Sequence, residues 1–215
     1  MKQRLMHAFG ILMAALLTVC ASTAGAATTA TGSYYANPSW DQQIPAATRF
    51  IVLSNWVDAN FPAGGAAVLD RETGLVWDIS PSTSKFGWRD AQSHCNGAGV
   101  IDPITSAFLP GAKAGNRLGW RLPTIQELAS LVDPTAPTAP GDLSLPAGHP
   151  FMNVIAGELY WSATLSAADA AAGFAVAWGM DFRFGGPLKE SLGTGFNAGP
   201  SYVWCVRGGQ GVDAQ

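Results

Sequence analysis

The hydrophobic positions of this chain change rhythm several times, and each change predicts an element. RFIVLSNW (49–56) has the β-branched and aromatic content of a strand. AAVLD (66–70) and GLVWDIS (74–80) predict two more. Between them, DRETG puts Gly74 where a tight turn needs a positive φ. The three strands form a meander. In SKFGWRDAQSHCNGAG (84–99) the rhythm becomes helical. Trp88, Ala91 and Cys95 recur at i, i+3 and i+7 on one face, and Asn96-Gly97 supplies the stop. Arg89 and Asp90 fall on the other faces, as a solvated pair.

NRLGWRLPTIQELASLVDP (116–134) reads as a corner of the fold. Trp120 and Leu122 alternate with Arg121 as a short buried strand, with Arg121 free to pair with an acidic side chain. Pro123 stands just before a helix start, where it removes no helical hydrogen bond. Thr124 and Glu127 have the spacing of a capping box. Ile125, Leu128 and Val132 then share one face, with Leu131 beside them. A capping box accounts for Glu127 without catalysis, so Glu127→Gln is expected to be nearly silent.

Periodicity disappears over DPTAPTAPGDLSLPAGHP (133–150), a Pro-rich stretch read as a long surface loop. ELYWSATLS (158–166) returns as a strand. AAGFAVAWGMDFRFG (171–185) alternates, placing Phe174, Val176, Trp178, Met180 and Phe182 on one buried face, with Asp181 and Arg183 on the polar outer face. GGPLKESLGTGFNAGP (185–200) reads as a Gly-rich hairpin or loop. SYVWCVRGG (201–209) is the last strand, and residues 210–215 read as a disordered tail.

The N-terminus changes the picture of where this domain works. Lys2 and Arg4 precede an apolar run from Ala8 to Val19, and Ala24-Gly25-Ala26 has the small residues of a cleavage site. Residues 1–26 are therefore read as a Sec-type signal peptide, too short in its apolar part to span a bilayer. A lipoprotein signal ending at Cys20 is the competing reading, with Val19 standing where a small residue is usual. An irregular leader (27–47) and one domain (48–209) follow. Removal of the signal leaves 189 residues with a formal charge of −5, against −3 for the whole chain. That length suffices for one core. The acidic balance, without a basic stripe, argues against nucleic acid as a partner. Export leaves Cys95 and Cys205, and an even pair in an oxidising compartment favours a disulfide. It would close a loop of about 110 residues, stabilising by on the order of 4–5 kcal/mol in the chain-entropy model. The competing reading is a pair of catalytic or metal-binding thiols, although there is no CxxC, and His94 and His149 are irregularly spaced for zinc.

DRETGLVW (70–77), WRDAQSHC (88–95), GWRLPTIQEL (119–128), YWSAT (160–164) and VWCVRGG (203–209) occur in an order that resembles a bacterial family typified by the C-terminal domain of the Legionella collagen-like adhesin. The middle two also look like the formylglycine-generating-enzyme and sulfatase-modifying group. The resemblance implies an α+β, C-type-lectin-like fold: two helices packed on twisted antiparallel sheets, a long irregular loop region, and termini brought together. A cystine joining the first helix to the last strand is frequent in such domains, and Cys95–Cys205 fits it. The calcium- and sugar-holding triplets of true C-type lectins are absent, so no metal and no cofactor are expected. The reactive cysteine pair of the formylglycine-generating enzymes is not matched either, and there are no Gly-X-Y repeats.

The resemblance, with no nucleophile–base motif and no metal cluster in the sequence, points to an exported, non-enzymatic binding module for a glycan or an envelope protein. The ligand-binding candidates come from the loops and the strand beside them: Trp178, Asp181, Arg183 and Lys189, with Asp142 and His149 from the Pro-rich loop. An enzyme of the formylglycine-generating type would draw on His149, Asp142, Asp181 and Arg183. A structural subunit of a surface assembly would need no small ligand. An oligomer is compatible with each reading.

Overall fold

The computed structural model describes residues 44–101, 105–136, 139–192 and 199–209. The segments read as signal peptide and tail, and most of the one read as leader, lie outside them. The architecture is α+β with antiparallel sheets. A one-turn helix α1 (Ala46–Arg49) leads into β1 (Phe50–Val52), which pairs with β2 (Ala67–Asp70). β2 turns through Gly74, at φ 71°, into β3 (Val76–Asp78). The meander is therefore present, but Arg49 closes a helix instead of opening a strand.

Helix α2 (Trp88–Cys95) buries Ala91 and Cys95, as its spacing predicts, and stops at Asn96 and Gly97, the latter at φ 82°. A small hairpin follows, β4 (Val100–Ile101) with β5 (Phe108–Leu109). A 3-10 turn at Ala114–Asn116 leads to β6 (Trp120–Arg121) and helix α3 (Ile125–Ala129). β7 (Leu159–Leu165), β8 (Val176–Asp181) and β9 (Gly186–Ser191) form a three-stranded sheet. Between β7 and β8 lies α4 (Ala167–Ala171), a turn of helix where the sequence reading placed no element. Alanine, the best helix former, fills most of it, and Gly173 at φ 84° ends it. β10 (Val206–Arg207) then enters the first sheet, whose order is β1-β2-β3-β10-β6. The described chain thus begins and ends in one sheet.

Three expectations need correction. The strand read over 171–185 is shorter, and its single apolar face does not exist: Phe174 is 65% exposed and Trp178 is only half-buried. β8 buries Met180 and Asp181, neighbours that point to opposite faces of the sheet, so both faces are covered at this end of the strand. Asp181 is accordingly buried, not on an outer polar face. The last strand is also reduced, to two ladder residues plus isolated bridges at Ser201 and Tyr202. In the Pro-rich loop, Ser144 and Leu145 are buried, and the Ser144 hydroxyl donates to the Phe182 carbonyl at 2.6 Å. Its mid-section is therefore anchored to the core.

Two apolar clusters hold the sheets together. One centres on Trp77 and Trp204, whose rings meet edge-on at 5.6 Å, with Tyr160, Met180 and Leu128. The other gathers Phe86, Ala91, Trp120 and Trp161 around the cystine. Cys95 and Cys205 are bridged, with Cα atoms 5.4 Å apart, so α2 is tied to the residue before β10.

Candidate functional site

The run from Trp120 to Glu127 is built as a corner. Trp120 and Leu122 are buried, and Pro123 accepts from the Ala163 N–H at 2.7 Å, tying the corner to β7. The Thr124 hydroxyl accepts from the Glu127 N–H at 3.2 Å, and the Glu127 carboxylate accepts from the Thr124 N–H at 2.8 Å. Arg121 adds a forked pair to the same carboxylate, at 2.7 and 2.6 Å, and donates to the Gly208 carbonyl at 2.6 Å. This carboxylate is engaged by a cap and a cation, which leaves it no role on a ligand.

The six ligand-binding candidates fall in different settings. Trp178 and Lys189 face each other across β8 and β9, with the ammonium 5.1 Å from the indole centroid. Lys189 is also paired with Asp169 of α4 at 2.7 Å, and that pairing holds the exposed Asp169 carboxyl below its usual range. Asp181 accepts from the Arg183 N–H at 2.7 Å, and the Arg183 guanidinium lies 4.7 Å from the Phe184 ring centre. Asp142 closes its own turn by accepting from the Ala139 N–H at 3.0 Å. His149 stacks on Phe151 at 5.8 Å, where burial lowers its pKa. Described contacts bring the candidates together only as two separate pairs, Trp178 with Lys189 and Asp181 with the Arg183 backbone.

The concave feature lies elsewhere. A cleft of about 530 Å³ opens between the end of β3, α2, the segment 58–61 and the 3-10 turn. Strand alternation explains its floor. Trp77 turns into the core, so Asp78 turns the other way. The Asp78 carboxyl is enclosed by protein, while the residue keeps partial exposure because the cleft opens onto it. Burial pushes its pKa up to about 7; the Ser80 N–H opposes this and the neighbouring Asp58 charge adds to it. Asp78 Oδ1 accepts from that N–H at 3.1 Å.

Asp58 is bound quite differently. Its Oδ1 accepts from the Asn60 and Phe61 N–H groups at 2.8 and 2.9 Å, and its Oδ2 from the Gly115 N–H at 2.8 Å. These bonds fasten 58–61 to the 3-10 turn. His94 stacks on Phe86 at 4.6 Å; burial lowers its pKa, and its Nδ1 has no hydrogen-bond partner among the described residues. Ser80, Ser82, Asn116 and Asn153 add hydroxyl and amide groups, while Phe61, Phe86 and Val203 add apolar wall. Such mixed walls suit a ligand with both C–H faces and hydroxyls. No group of three or more metal-ligating side chains occurs among the described residues.

In the sequence Asp78 is marked only by its place next to Trp77 in an alternating strand, and Asp58 sits in a segment with no period. His94 reads there as an irregularly spaced zinc-ligand type, with nothing to tie it to a cleft.

The family model described as the Lcl C-terminal domain matches residues 66–207. No curated protein matches the chain, and no solved structure does.

Proposed function

The chain belongs to the Lcl C-terminal domain family, that of the Legionella collagen-like protein, and from that premise we propose that it is an exported, non-enzymatic binding module of the adhesin type that recognises a glycan at the cell envelope. The family indicates a surface- or adhesin-associated module. No helix among the described residues is long and apolar enough to cross a membrane. We further propose a C-type-lectin-like fold, supported by the paired helices α2 and α3, the antiparallel sheets, the cystine from α2 to the last strand, and the start and end of the described chain in one sheet.

The observation that carries the glycan reading is the cleft, where hydroxyl, amide and carboxyl groups alternate with phenyl rings. Polar groups of this kind fix a sugar's orientation, and the rings cover its C–H faces. Trp178 and Lys189 are kept in the proposal as a second, flatter contact. Asp142, His149, Asp181 and Arg183 do not line the cleft and are left out of it. The cystine also weighs against a thiol oxidase of the formylglycine-generating type, since both of the cysteines it would need are bridged.

A glycan array probed with the mature chain, with and without a calcium chelator, tests this. Chelator-independent binding to a defined set of glycans is expected. Absence of glycan binding together with recovery of one envelope protein in a pull-down would replace the glycan by a protein partner.

A further inference from the structure

We propose that the cleft beside β3 is a binding site for an amino sugar carrying a free, protonated amine, which the Asp78 carboxylate receives beside the fixed charge of Asp58. This rests on the glycan reading and narrows it to one chemical class.

Among the described residues, Asp78 accepts a hydrogen bond at Oδ1 only, and no described hydrogen bond engages Oδ2. The described ion pairs include neither Asp58 nor Asp78. Lys113 lines the cleft but is exposed, and its stem lies along Gly97. Asp58 and Asp78 therefore line one partly desolvated space with Lys113, and no described ion pair joins either carboxyl to it. Asp58 is not free to move away, because three backbone N–H groups hold it.

An anionic sugar would meet like charge here, and a neutral sugar would leave Asp78 holding its proton up to about pH 7, whereas a cation favours its ionised form. An ammonium supplies that cation and three donors at once. The surrounding groups match the rest of a hexosamine. Asn153, held at φ 56°, donates its amide to the Ser80 hydroxyl at 3.0 Å, so both are placed at the rim. The buried, unpartnered Nδ1 of His94 offers one further polar atom, next to the Phe86 ring. N-acetylation of the sugar would remove the charge and add bulk beside Asp78.

Calorimetric titration of the mature chain with a chitosan trimer and with the N-acetylated chitin trimer, just below neutral pH, tests this. The free-amine oligomer is expected to bind at least about tenfold more tightly, in line with a charge-assisted pair. Asp78→Asn should abolish that preference without unfolding the protein, and Phe174→Ala, at an exposed residue outside the proposed contacts, should leave it intact. Equal binding of the two oligomers would overturn the ammonium inference while leaving the glycan reading standing. A preference that persists in Asp78→Asn would show non-specific attraction to an acidic protein and would also overturn it. If neither oligomer binds, the inference fails, and the glycan array decides the wider reading.

Discussion

Asp78 illustrates how a single side chain links function to stability. Its folded-state pKa stands near 7, above the ordinary 3.8. A raised carboxyl pKa means the folded state holds the proton longer than the unfolded chain. Stability from this group is complete below the unfolded value and is lost as pH rises to the folded one. The full shift would correspond to about 4 kcal/mol, an upper bound that access through the cleft reduces. Asp78→Asn should therefore raise the melting temperature at mildly basic pH and change it little near pH 4, a comparison that thermal scans at both pH values make directly. Arg49 shows the opposite case. It is 1% exposed, forks onto Asp70 at 2.8 and 2.7 Å and donates to the Ser130 carbonyl at 2.8 Å. Arg49→Met leaves Asp70 buried without its cation and should cost about 3–5 kcal/mol in denaturant unfolding. In the sequence Arg49 reads only as the first residue of a strand. Its partner Asp70 lies 21 positions away and Ser130 81 away, separations that no local pattern encodes.

At the scale of elements, local chemistry was the legible part. The Gly74 turn, the stop of α2 and the capping box of α3 each depend on neighbours within four residues, and all three are present. Thr124→Ala should cost about 1 kcal/mol. Glu127→Gln, silent on the sequence reading, should instead cost about 1.5–3 kcal/mol, because the forked Arg121 pair is lost along with half the box. Chemical denaturation of the two variants ranks them, and a silent Glu127→Gln would refute the added role of Arg121. Illegible were the elements set by partners far along the chain. β8 is covered on both faces at Met180 and Asp181 but leaves Trp178, and Phe174 just before it, partly open, so alternation misassigned Trp178 and Asp181. The cleft could not be read at all, since its walls come from segments around 58, 78, 94 and 114.

For the molecule as a whole, the cystine links α2 to the end of the chain over 110 residues. The native protein should show no free thiol from Cys95 or Cys205, and reduction should cost about 2–5 kcal/mol. Intact mass of the exported chain should correspond to a start at Ala27, and a start at Met1 or a lipidated Cys20 would contradict the proposed processing. The family match begins at residue 66, yet β1 pairs with β2 and Arg49 is buried against Asp70, so the folded unit reaches back beyond the matched span. The central claim is that this unit holds a sugar in the cleft at the end of β3. NMR titration of the labelled mature chain with an array-positive glycan tests it most directly. The account predicts saturable shifts of the Asp58, Asp78, Ser80 and Asn153 amides. Saturable shifts confined to residues around Trp178 and Lys189, with the cleft amides unmoved, would contradict it.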